Sequence, residues 1–162
     1  GSFAGRARFA LAVSERLAAQ IGGHRVGIRL SPLSDFNGIQ PWDGIEADYM
    51  WLAQMLSQLG LAYVHLIDRR AADAPRLPAA LKAALRASFS GALILSGGYD
   101  QALAEADLEA NCADLIAFGR PFVANPALVV RQGAPLNAPD DDTFYTSGAR
   151  GYTDYPALGA PR

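Results

Sequence analysis

Ala113-Asp114-Leu115-Ile116-Ala117-Phe118-Gly119-Arg120-Pro121 is the stretch whose reading decides the fold, because an apolar run stops there at a Gly-Arg-Pro corner. A short apolar run closed by turn residues reads as a buried strand, and Gly-Arg at its carboxyl end suits an anion. The same layout stands upstream, where Ala92-Leu93-Ile94-Leu95 runs into Ser96-Gly97-Gly98-Tyr99 and a helical segment opens at Asp100. Two successive strand ends of this kind match the phosphate site formed by the loops after strands seven and eight of a (β/α)₈ barrel.

Working outward, strands alternate with helices. Phe9, Val13, Leu17 and Ile21 repeat every four residues from Arg6 to Ile21, which predicts a helix with one stripe toward a core, stopped by Gly22-Gly23. Val26 to Leu30 reads as a strand, and Ser34 to Gly44 as a long loop. A helix from Ile45 carries Tyr49, Leu52, Leu56 and Leu59 on one face and ends at Gly60, a C′ glycine. A strand over Leu61 to Leu66, a helix over Pro78 to Phe89, the strand at Ala92, a helix over Asp100 to Ala110 and the strand at Asp114 complete the series. Alternation predicts a parallel sheet, and continuous apolar strands predict cover on both faces. Asn125-Pro126 is expected to start a short helix ending near Gly133. Residues 134–162 form a Pro/Gly/Tyr-rich tail without periodicity.

The chain has 162 residues, one domain's worth at about 150 each but short of the roughly 250 of a complete barrel. With 51% apolar and 19% charged residues it can build a packed core. A net charge of −2, with no basic cluster beyond Arg69-Arg70, argues against a nucleic-acid partner. No apolar run approaches the roughly 20 residues that span a bilayer, so no membrane partner and a cytoplasmic location are expected. Cys112 is the sole cysteine and reads as a small buried residue, and no metal-ligand set, Walker loop or dinucleotide fingerprint is present.

Arg29 stands inside an apolar strand, where a buried guanidinium requires an anionic or carbonyl partner: Asp35, Asp68 or a ligand. Gly97 and Gly98 before Asp100 bring backbone N–H groups near a helix start, and Arg120 adds a planar fork of donors suited to phosphate. His65 reads as a hydrogen-bonded structural residue, Asp140-Asp141-Asp142 as a solvated turn. Lys82, the only lysine, falls on a helix, away from any strand end where an aldolase-type lysine belongs.

In order and spacing, several segments together resemble the old yellow enzyme family of FMN-dependent ene-reductases, in the branch of bacterial N-ethylmaleimide, nitroester and morphinone reductases. They are Gly1-Ser2 with Arg6-Ala7-Arg8-Phe9, Arg25 to Pro32, Phe36-Asn37, Gly60 to Leu66, Gly97-Gly98-Tyr99, Ala117 to Phe122 and Ala124-Asn125-Pro126. Ala134 to Asn137, Thr143-Phe144-Tyr145 and Gly151 to Pro156 continue the match, while Ala4-Gly5 stands where the family has Glu-Asn. The resemblance implies an α/β fold, a (β/α)₈ TIM barrel of which residues 1–162 supply the carboxyl-terminal half, strands five to eight, with 134–162 flanking the active site.

It further implies FMN as cofactor and NADPH or NADH as hydride donor, for reduction of a small alkene conjugated to a carbonyl or nitro group. Arg29 would lie at the flavin N1/C2 edge; Gly97, Gly98, Gly119 and Arg120 would hold the phosphate. Phe36 and Tyr145 would line the substrate side, Tyr145 as a pocket wall and not the proton donor. The groups that grip the activating carbonyl and deliver the proton belong to the amino-terminal half, expected as a second chain or cleaved segment, so this chain alone is expected to be inactive. The alternative expectation is a non-catalytic half-barrel that self-associates and binds FMN or phosphate weakly.

Overall fold

Gly22, with φ at +87°, ends the first helix and turns the chain into the first strand, the opening move of a repeated α-then-β rhythm. The computed structural model describes residues 1–34, 40–68, 77–130 and 135–157. In chain order the elements are α1 (Phe3–Ile21), β1 (Gly27–Leu30), α2 (Ile45–Gln58), β2 (Tyr63–Ile67) and α3 (Ala79–Ser88). β3 (Ala92–Ser96), α4 (Gln101–Glu109), β4 (Leu115–Ala117) and α5 (Arg120–Ala124) follow. Residues Gly1–Ala117 and Phe118–Arg162 form two separate compact units.

In the first unit the strands form one sheet in the order β1-β2-β3-β4, every pair parallel. Parallel neighbours need a crossover, and a helix supplies each one here. The strand pleat sends Val64, Leu66, Leu93 and Leu95 to one face, each only 1% exposed. Leu52, Ala53 and Leu56 of α2 and Leu81 and Leu85 of α3 are buried with them. Gly60, at φ +65°, terminates α2 as expected of a C′ glycine, and Asp100 caps α4 by accepting from the Leu103 N–H at 2.8 Å.

Among the described residues of this unit the opposite face is not covered, contrary to the expectation of two buried faces. Leu115 is 55% and Tyr63 40% exposed there, and Arg29 is exposed as well. The α1 stripe departs in the same way: Phe9, Val13, Leu17 and Ile21, expected to face a core, are 42–81% exposed. The helix packs through an adjoining, small-residue side, where Ala7 and Ser14 are buried. Around the helix Ser14 lies about 100° from Val13 and about 60° from Leu17, so the covered side adjoins the apolar stripe, which stays largely exposed among the described residues. Ser2 caps it, its hydroxyl accepting from the Gly5 N–H at 3.2 Å, so Ala4-Gly5 begins a helix despite the departure from the family pair. At its start Phe3 stacks on Trp42, and Arg6 lies over the Trp42 ring at 5.1 Å.

Behind the sheet, Lys82 of α3 is buried with its ammonium 2.5 Å from Asp107 Oδ2 of α4, and the Tyr99 hydroxyl donates to the same oxygen at 2.5 Å. Cys112 is buried, as expected.

The second unit corrects one helix. The short helix precedes Asn125 instead of following it: α5 has Pro121 in its first turn, and among the described residues just after Asn125 there is only a 3₁₀ turn over Leu128–Val130. The reason lies in the Asn125 side chain, which is fully buried and tied to the chain ends around it. Its Nδ2 donates to the carbonyls of Pro121 (2.8 Å) and Asn137 (3.1 Å), and its Oδ1 accepts from the Asn137 N–H (2.6 Å). Asn137 Nδ2 in turn donates to Ala124 (2.8 Å) and Pro156 (3.0 Å), so two asparagines clasp the irregular tail to α5. Asp140-Asp141-Asp142 is the exposed turn expected of it.

Candidate flavin site

All four strands point their carboxyl ends one way, so the last residues of β1 and the turn after β3 share one edge of the sheet. Arg29, in the third position of β1, leaves the open face near that edge. Arg29 is exposed among the described residues, so the guanidinium is spared the desolvation cost that a buried strand position implies. The Asp68 carboxylate at the end of β2 accepts instead from the Leu77 N–H, at 2.7 Å.

Gly97 and Gly98 follow β3 with φ of +112° and +61°, conformations that exclude most side chains. A Cβ on Gly97 would stand 2.3 Å from the Asp68 carbonyl oxygen, so this turn also packs directly on the end of β2. The glycines leave only backbone at the strand edge, and the Asp100-capped α4 begins immediately after them. Tyr99 anchors the turn from behind through Asp107 and lies 5.7 Å from the Lys82 ammonium.

His65 stands between these two elements. It pairs in register with Arg29 on one side and Ile94 on the other, and its Nε2 lies 2.8 Å from Ser96 Oγ. Burial, and secondarily the Arg29 charge, push its pKa below the ordinary histidine value. The structural reading of His65 as hydrogen-bonded therefore holds, and the Ser96 partner becomes visible only through strand register.

Gly119, Arg120 and Tyr145 belong to the second unit. Gly119 and Arg120 are exposed at the start of α5, and a Cβ on Gly119 would meet nothing within 4 Å. Tyr145 is 95% exposed with φ +64°, a conformation rare for an aromatic residue. Its backbone N–H donates to the Tyr152 hydroxyl at 2.8 Å, which holds the strained residue with its ring outward. Phe36 lies outside the described residues.

An arginine and side-chain-free backbone at one edge of the sheet are a donor set whose chemistry fits a phosphorylated flavin. Residues 1–137 match the model of the NADH:flavin oxidoreductase / NADH oxidase family. The chain belongs to the old yellow enzyme family. It is 40% identical over 163 residues to a 12-oxophytodienoate reductase 1 of Oryza sativa subsp. japonica, an alignment covering 98% of this chain and 43% of that relative. Among solved structures it superposes on a morphinone reductase in complex with tetrahydroNAD at a TM-score of 0.86, with 45% identity, covering 98% of this chain and 42% of the other. It likewise superposes on the old yellow enzyme from Trypanosoma cruzi, at a TM-score of 0.87 and 33% identity over 97% and 41% of the two chains. The chain thus spans less than half the length of these old yellow enzyme relatives, and its four parallel strands are half of their TIM barrel.

Proposed function

We propose that this chain is the carboxyl-terminal half of an FMN-dependent ene-reductase, taking hydride from NADPH or NADH and acting on small alkenes conjugated to a carbonyl or nitro group. The observation that carries the reading is the exposed Arg29 on an uncovered sheet face, at the same edge as the Gly97-Gly98 turn, in an old yellow enzyme chain. FMN, when bound, supplies the redox chemistry. The residues of this chain bind and orient it: Arg29 sets positive charge beside the ring edge, while Gly97, Gly98, Gly119 and Arg120 receive the phosphate. Phe36 and Tyr145 shape the substrate side and exclude water from it.

Completion by an amino-terminal half belongs to the same proposal. The exposed apolar stripe of α1 and a sheet open on one face among the described residues both call for cover by another body. Activity is assigned to the completed particle, in the cytoplasm.

Native mass spectrometry of the purified protein tests this directly. One copy of this chain with an amino-terminal half and one FMN, coupled to NAD(P)H-dependent reduction of enones, is the expected result. A particle built only of copies of this chain, without FMN, would replace the reading with a self-associating half-barrel.

A further inference from the structure

Arg29 and His65 are direct partners on adjacent parallel strands, so both side chains leave the same face of the sheet. Ser96 Oγ lies 2.8 Å from His65 Nε2 and within 3.4 Å of the Leu66 carbonyl, to which its hydroxyl can donate. With its proton turned toward Leu66 the hydroxyl accepts from Nε2–H, an arrangement that leaves Nδ1 as the second protonation site of the imidazole. A second proton can therefore join Nδ1 without breaking the Ser96 bond.

We propose that His65 is a proton-gated second cation on the flavin-binding face, neutral beside Arg29 when the flavin is oxidised and protonated from solvent when the flavin gains negative charge. The proposal rests on the flavin reading above. Among the described residues, the groups facing His65 are few. From β1 it meets Arg29; from β3 it meets Ala92, Ile94 and Ser96, none ionisable; its own strand offers Tyr63 and, past its end, Asp68. Arg29 is then the only cation among them; burial first, and its repulsion second, favour the neutral imidazole. An anion arriving beside Arg29 cancels that repulsion and raises the proton affinity of His65; by linkage, the proton strengthens binding of the anionic form equally. His65 is in this sense a positioning residue for charge and takes no direct part in hydride transfer.

The test measures the midpoint potential of the complete FMN-loaded protein from about pH 8 down to about pH 5, bracketing the histidine range, in the native protein and in His65→Gln. Glutamine keeps a hydrogen-bonding group toward Ser96 and cannot take the proton. The potential of the native protein should rise more steeply on acidification, the excess reaching about tenfold in preference for reduced over oxidised FMN, or about 30 mV. NMR titration of His65 in the native protein gives a second readout, its midpoint rising on flavin reduction. FMN retained with parallel potential curves, or a titration unmoved by reduction, overturns the proposal alone. A completed particle that retains no FMN overturns the flavin reading, and this inference with it.

Discussion

Lys82 and Asp107 form a buried ion pair, 2.5 Å apart, that joins α3 to α4, and the Tyr99 hydroxyl completes it on the same carboxylate oxygen. The chain's only lysine is thus a structural bolt behind the Gly97-Gly98 turn. Breaking one side strands the other charge in the core, so Lys82→Met and Asp107→Ala should each cost about 3–5 kcal/mol. Urea denaturation reads the loss directly. A double variant replacing both charges with apolar residues should recover much of it, and additive losses would contradict the pairing.

Gly97 and Gly119 make a discriminating pair. Gly97→Ala puts a methyl against the Asp68 carbonyl at a positive φ, and should lower stability by about 1–3 kcal/mol along with FMN retention. Gly119→Ala meets open space at φ −89° and should leave the melting temperature unchanged. Any loss of FMN affinity in Gly119→Ala then reports ligand contact, because folding is unaffected.

Arg120 is exposed at the start of α5. Arg120→Ala should weaken FMN binding by about 1.5–3 kcal/mol, the scale of a charge-assisted hydrogen bond, with little change in folding. Equilibrium dialysis with FMN checks this, and unaltered affinity would remove Arg120 from the phosphate site.

Tyr145 keeps its left-handed backbone with help from the Tyr152 hydroxyl. Tyr145→Phe should change the KM for enones more than flavin content, since the ring faces away from its own unit. Tyr152→Phe removes the acceptor for the Tyr145 N–H and should reproduce that kinetic effect in kind. Steady-state kinetics with matched FMN loading separates the two outcomes.

His65 gives a pH dependence with a definite sign. Its folded pKa lies below the unfolded value near 6.5, so acidification protonates the unfolded chain first and stability falls as pH drops from 6.5 toward the folded pKa. Above 6.5 both states are neutral and this contribution is constant. His65→Gln should flatten the slope in chemical denaturation between about pH 6.5 and pH 5, whereas an unchanged slope would place the acid sensitivity elsewhere.

Much of this architecture is legible in the residues themselves. Apolar runs at β2, β3 and β4, helical spacing from Ile45, the C′ glycine at Gly60 and the cap at Asp100 are local signals, and each produced its element. Asn125 misled for a local reason: Asn-Pro has the form of a helix start, but the side chain is spent on Asn137, twelve residues away.

The sequence by itself determined the order of helices and strands, the parallel sheet, the glycine turns and the family, because propensity, period and motif spacing are properties of neighbouring residues. Only the tertiary structure decided which faces are covered. The stripe of Phe9, Val13, Leu17 and Ile21 and the Arg29 face have the same pattern whether or not a partner lies over them, and periodicity cannot say that α1 packs through Ala7 and Ser14. It also decided the pairs His65–Ser96, Lys82–Asp107 and Asn125–Asn137, for strand register and helix packing bring together residues that no local interaction relates.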